Sequence, residues 1–203
     1  MTECLSRPRL LPNGRGPEDV PSRLPDLLAR RRTIRRLVDG PLRVGALDLL
    51  ADAIGRTPAA FGVQPWRVVL VRDRRDEFWD LVESGFSERL AGERLARYLD
   101  RLDGFAGAAV VALVYEETGT ADRLRDGWSL PERTETDFVQ QGLGMVQFSI
   151  WLAATDLGLA AFAGLDHEHP RLVSIMPIGH ADEEPRPATS GAGWTVALDR
   201  APS

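Results

Sequence analysis

Lysine is missing altogether: all 25 basic residues are arginine. That excludes a Schiff-base lysine, and with it pyridoxal-phosphate chemistry, as well as the lysine of a Walker P-loop. A phosphate bound through charge must therefore be bound by arginine, whose planar guanidinium offers a bidentate fork. Cysteine is nearly missing too. The single copy, Cys4, excludes an intrachain disulfide, a cysteine-rich zinc site and a self-contained iron–sulfur site. No apolar run approaches the ~20 residues of a membrane helix, and the N-terminus lacks the basic-then-apolar pattern of a secretory signal. No membrane partner and a cytoplasmic protein are the resulting expectations. The net charge of −5 argues against a nucleic-acid partner.

At 203 residues and 43% apolar content, the chain is sized for one globular core. Residues 1–22 carry Pro8, Pro12, Pro17 and Pro21 with Gly14 and Gly16 and show no periodicity, which predicts a disordered arm before a single domain over 23–203. Short helix signals cover Leu24–Arg32, with Pro25 and Asp26 suited to its first turn. Val44, Leu47, Leu50, Ala51 and Ile54 predict a helix over Val44–Arg56. A helical region follows over Glu77–Leu102, with a break expected near Gly85 or Gly92. The longest helix is predicted over Glu132–Leu157, apolar nearly all round, as befits a central helix or a subunit interface.

Strands are predicted at Val68–Val71, within Phe105–Tyr115, at Leu172–Met176 ended by Pro177, and as a short last strand at Thr195–Leu198. The second shows no alternation, as expected where both faces of a sheet are covered. Helices alternating with strands indicate an α/β or α+β domain. Ala121–Pro131 reads as a loop or short helix with Trp128 as its bulky group, either a lid or ordinary surface packing.

Two stretches carry candidate chemistry. Thr57-Pro-Ala-Ala-Phe-Gly-Val-Gln-Pro-Trp-Arg67 is a stiff loop of mostly small residues leading into a strand. It reads either as a plain helix-to-strand connection or as a bed for a flat ligand, with backbone approach at the small residues and a donor and acceptor on Gln64. Arg30, Arg31, Arg32, Arg35 and Arg36 crowd around Thr33, either as a solvated charge run or as a phosphate clamp. His167-x-His169 offers only two imidazoles, so a solvated loop is expected there and no metal site.

Taken in order, these segments resemble the nitroreductase family of flavin-mononucleotide (FMN) oxidoreductases. Arg31-Arg-Thr-Ile-Arg35 is similar to the family's Arg-Arg-Ser-x-Arg opening. Thr57–Arg67 resembles its Ala-Pro-Ser-Ser-x-Asn-x-Gln-Pro-Trp loop. Ala153-Ala-Thr-Asp-Leu-Gly-Leu159 resembles the end of its central helix, and Ser174-Ile-Met-Pro-Ile-Gly179 with Glu184-Pro185 resembles its late strand and tail. Phe78-Trp-Asp-Leu-Val82, Asp103-Gly-Phe105 and Gly144-Met-Val-Gln-Phe-Ser-Ile-Trp151 resemble the compact yeast-type, fatty-acid-response-associated subfamily and its bacterial relatives. The resemblance covers about residues 24–187.

It implies an α+β fold with a mixed central sheet flanked by helices, assembled as an intertwined homodimer with FMN at the interface. By the same resemblance, Arg31, Arg32, Thr33 and Arg35 would contact the FMN phosphate, ribityl chain or polar ring edge. Pro58, Ala59 and Ala60 would line the ring by backbone, with Gln64 nearby. Ala163 and Gly164 would back the ring, and Arg186 would close on the phosphate. No residue is expected to act as an acid–base catalyst, because the cofactor carries the chemistry. The chain departs from the pattern at Ala59 and Ala60, where serines are usual, at Gly62, where asparagine is usual, and in a short Gly164–Met176 connection. The implied activity passes electrons from NAD(P)H as co-substrate to a flat small-molecule acceptor such as a nitroaromatic or quinone. An FMN-dependent biosynthetic oxidase or dehydrogenase, and a degenerate non-catalytic dimeric member, are the alternatives.

Overall fold

Two apolar strands form the middle of the molecule, β3 (Val110–Glu116) and β5 (Leu172–Ala181), and everything else is laid against them. The computed structural model describes residues 23–131, 133–164 and 171–184. The arm expected over 1–22, the strand expected at Thr195–Leu198 and His167-x-His169 lie outside the described residues. The remaining elements are α1 (Leu24–Arg30), β1 (Leu37–Val38), α2 (Ala46–Arg56), β2 (Trp66–Val71), α3 (Arg75–Arg89), α4 (Gly92–Ala106), α5 (Thr120–Trp128), α6 (Thr134–Asp156) and β4 (Ala160–Ala161).

The sheet order is β1-β5-β3-β2, with β4 also paired to β5. Each ladder is antiparallel, and an isolated parallel bridge joins Thr33 to Ala161, so the sheet is mixed. Side chains alternate across a strand with a period of two. Val110, Ala112 and Val114 of β3 accordingly enter one core with Met176 and Ile178 of β5. Val111 and Leu113 enter the other with Ile175. The first core is covered by Leu50 of α2, Leu124 of α5 and a stripe of α6, the second by Trp79 of α3 and Leu102 and Phe105 of α4. Both faces of the central strands are therefore dry, which is why their sequence lacks alternation.

In α6 the buried stripe is Val139, Leu143, Val146, Ile150 and Ala153, at the three- and four-residue spacing that keeps side chains on one face. Its opposite face is open and also apolar: Met145 is 40% exposed and Phe148 44%. The break in the Glu77–Leu102 region falls at Leu90–Ala91, both extended, with Gly92 opening α4 and Gly85 inside α3.

The helical region expected to end at Leu102 runs on in α4 to Ala106, taking in Phe105 ahead of the second strand. Gly107 caps that helix and passes β1 so closely that a Cβ would lie 2.3 Å from the Leu37 carbonyl oxygen. Pro177 does not end the last strand, which runs on to Ala181. The Pro177 carbonyl accepts from the Phe162 N–H at 3.2 Å. In an antiparallel strand a residue's N–H and C=O point to the same side, so the missing donor of Pro177 faces the two-residue β4 and its ladder with β3 loses nothing.

Candidate functional site

The arginine segment leaves α1 through Arg31, which caps the helix with its N–H on the Leu27 carbonyl at 2.8 Å. The Arg31 guanidinium lies over the Trp151 ring of α6, 4.7 Å from its centroid. Trp151 in turn donates its indole N–H to the Arg32 carbonyl at 3.3 Å. Two residues on, Ile34 is buried and donates its N–H to the Ala161 carbonyl at 3.5 Å, beside the Thr33–Ala161 bridge. Arg35 and Arg36 both donate their N–H groups to one carboxylate oxygen of Glu183. The apolar anchor at Ile34 thus turns Thr33 and Arg35 outward, where both are exposed.

The segment after α6 meets this one. Ala161 is fully buried, and the Arg35 guanidinium lies 5.9 Å from the Phe162 ring centroid. Gly164, with φ +96°, donates its N–H to the Oγ of the fully buried Ser174 at 3.2 Å. Thr33 and Arg35 are therefore joined to the stretch containing Ala163 and Gly164, while Arg31 and Arg32 meet Trp151. Arg36 pairs with Asp100 at 3.3 Å, whereas among the described residues no carboxylate side chain pairs with the guanidinium of Arg31, Arg32 or Arg35. Three unneutralised guanidinium groups flanking one exposed threonine fit the chemistry of a bound phosphate. Arg186 lies outside the described residues.

The loop after α2 is fixed differently. Thr57 is buried and donates its hydroxyl to the Ala53 carbonyl at 2.8 Å. Gln64 folds back and donates its amide nitrogen to the Gly55 carbonyl at 2.9 Å and to that of Thr57 at 3.4 Å. Its amide donors therefore brace the loop, and Oε1 is the atom it can still offer a ligand. Between these anchors, Val63 donates to the Ala60 carbonyl at 3.0 Å across a tight turn whose central residues, Phe61 and Gly62, have φ of +54° and +73°. Pro58, Ala59 and Ala60 lie at the surface beside this turn, Pro58 exposed and the two alanines half-buried. Pro65 packs on Gly142 of α6, where a Cβ would sit 2.6 Å from its Cγ.

Aromatic contacts missed by the motif reading finish this corner. Phe61 stacks on Trp128 of α5 at 4.4 Å and meets Phe138 of α6 edge-on at 5.5 Å. The Arg125 guanidinium of α5 grips one oxygen of the buried Glu135, at 3.0 and 2.8 Å, and reaches Asp122 at 3.1 Å. The hydrogen bond from Arg125 holds the Glu135 carboxyl below the usual carboxylate range. A single signal in the sequence pointed here, the bulk of Trp128 among polar neighbours. Nothing in the sequence marks Trp151 and Phe162 as the aromatic partners of the arginines.

The arginine segment and the loop are attached to α6 at Trp151 and Phe138, thirteen residues apart, about 20 Å along the helix axis. The midpoint falls between Gly144 and Met145, both on the open face, and a Cβ added at Gly144 would meet no atom within 4 Å.

The fold is shared with solved structures. The nitroreductase CinD of Lactococcus lactis, in complex with chloramphenicol, superposes with a TM-score of 0.73 at 21% identity, covering 87% of this chain and 100% of that one. A nitroreductase with bound FMN from Desulfitobacterium hafniense superposes with a TM-score of 0.64 at 16% identity, over 89% and 100% of the two chains. Among curated proteins, an NADH dehydrogenase of Thermus thermophilus is 46% identical over 44 residues, a match spanning only 22% of each chain. The family model of the nitroreductases matches residues 28–164, well over half of the sequence. The chain belongs to the nitroreductase family.

Proposed function

We propose that this chain is an FMN-dependent oxidoreductase that takes electrons from NAD(P)H and delivers them to a flat acceptor, a nitroaromatic or a quinone. The observation that carries the reading is the trio Arg31, Arg32 and Arg35, free of carboxylate partners among the described residues and joined through Thr33 and Ile34 to Ala161. FMN would supply the two-electron chemistry of the site. Arg31, Arg32 and the Thr33 hydroxyl would hold its phosphate and ribityl chain. Arg35 would set a positive charge at the polar ring edge, which favours an anionic reduced ring. Ala163 and Gly164 would stand behind the ring, and Pro58, Ala59 and Ala60 would face it by backbone, with Gln64 Oε1 as acceptor. Arg186 would close on the phosphate.

The working unit is a homodimer formed on the open face of α6. Met145 and Phe148 supply its apolar surface, and Gly144 allows close approach of a second helix. Phe138 and Trp151 lie six and seven residues to either side of Gly144 along α6. An antiparallel copy crossing there would set the loop of one subunit beside the arginine segment of the other. Each site would then be shared, and the two-fold symmetry of an isologous interface would make the two sites equivalent.

The test is an absorbance spectrum of the purified protein after incubation with FMN, then with NADH and with NADPH. Flavin bands that bleach on adding one of the nucleotides are expected. A protein that stays colourless after FMN incubation would refute the assignment.

A further inference from the structure

Three non-glycine residues among those described have positive φ: Phe61 (+54°), Ser129 (+47°) and Arg133 (+72°). All three lie in one corner, either in the loop between α2 and β2 or in the connection from α5 to α6. A left-handed backbone is disfavoured for a residue with a Cβ by about 5- to 30-fold in population. A turn with two left-handed central residues ordinarily takes Asn-Gly or Gly-Gly. Here the second position is Gly62, but the first is Phe61. Its backbone can keep that geometry only if its side chain gains enough elsewhere. The ring contacts are on Trp128, stacked at 4.4 Å with a 22° interplanar angle, and on Phe138, edge-on at 5.5 Å. Neither is deep core packing, since Phe61 is 45% exposed and Trp128 52%.

We propose that Trp128 is a positioning residue for the loop: by stacking on Phe61 it holds the left-handed turn that sets the course of the Pro58–Gln64 backbone. The clamp spans separate elements, so α5 acts on the loop through one ring contact. The Arg125–Glu135 pair ties α5 to α6 and gives Trp128 a fixed base. The consequence for FMN rests on the reading of this loop as part of the cofactor site; the consequence for the loop itself does not.

The experiment uses four full-length forms: wild type, Trp128→Ala, Trp128→Phe, and Phe61→Gly combined with Trp128→Ala. Amide hydrogen exchange at Val63, whose N–H closes the turn on Ala60, is followed without cofactor. Trp128→Ala should speed that exchange about tenfold. Trp128→Phe, which keeps a ring, should stay within about threefold of wild type. Phe61→Gly with Trp128→Ala should return to the wild-type range, because glycine adopts the turn without a partner. FMN dissociation constants, measured by flavin fluorescence, should follow the same order. Wild-type exchange in Trp128→Ala, or no rescue by Phe61→Gly, would overturn the proposal. If exchange follows the pattern and no form binds FMN, the clamp stands and the cofactor reading falls.

Discussion

The arginine segment and the loop after α2 supply the two sides of the proposed cofactor site, yet the chain fixes them by different means. Arg31–Arg35 is held by the main chain: the Thr33–Ala161 bridge, the Ile34 N–H on Ala161, and Glu183 on two successive amides. Its guanidinium groups meet aromatic faces or backbone carbonyls, Arg31 on Trp151, Arg35 near Phe162 and Arg32 on the carbonyls of Ala29 and Arg31. The loop is held by side chains, with Thr57 and Gln64 on the end of α2 and Phe61 on Trp128. The first region leaves its charges without carboxylate partners among the described residues and ties down its backbone. The second commits its polar groups to itself and offers backbone and shape. In the proposed site one half would recognise charge and the other a flat surface.

The strongest way to break that contrast is to remove the charge. Arg31→Ala combined with Arg32→Ala should weaken FMN binding by roughly 100-fold or more, taking about 1.5–3 kcal/mol per charge-assisted bond. Riboflavin, which lacks the phosphate, should lose far less. Loop variants should weaken both ligands alike. Parallel titrations with FMN and riboflavin measure the difference, and equal losses in the double arginine variant would erase the distinction.

Next in size are two glycines on which the halves rest. A Cβ at Gly104 would lie 2.5 Å from the Arg35 carbonyl oxygen, and one at Gly142 2.6 Å from Pro65 Cγ. Alanine at either position should cost about 1–3 kcal/mol by overpacking. Thermal unfolding measures that cost, and hydrogen exchange locates it. Gly104→Ala should disturb the arginine segment alone, and Gly142→Ala the loop alone. A smaller effect is expected from Thr57→Val, which removes the bond to Ala53: about 1 kcal/mol of stability, read by denaturant unfolding.

The smallest effect concerns Glu135. Arg125 lowers its folded pKa, so its contribution is present above the ordinary glutamate range and is lost as pH falls through the lower, folded value. The melting temperature of Glu135→Gln should lie below wild type at neutral pH and converge with it in acid. A gap that persists undiminished in acid would show that the carboxylate charge plays no part.

Much of this arrangement was legible in the residues. β3 announced itself because both its faces are buried, and α6 because apolar positions surround it. The arginine segment was readable because five guanidinium groups within seven positions demand an anion or solvent. Other features had no local signal. β1 and β4 are two residues long and exist only because β5 runs on past Pro177. Gln64 gave its donor and acceptor in the sequence, but not that its amide nitrogen would turn back onto α2. The Phe61–Trp128 stack joins positions 67 residues apart, and neither residue type by itself predicts a left-handed backbone.

The diagonal placement of the two halves on α6 has a genetic corollary. In the proposed dimer, a subunit lacking Arg31 and Arg35 still carries a sound loop, and a subunit with a ruined loop still carries sound arginines. Two such inactive parents, mixed as heterodimers, should put both defects into one site and leave the other wholly wild type. Each heterodimer of two dead alleles would then reach half of full FMN occupancy, whereas a site built within a single chain would give none.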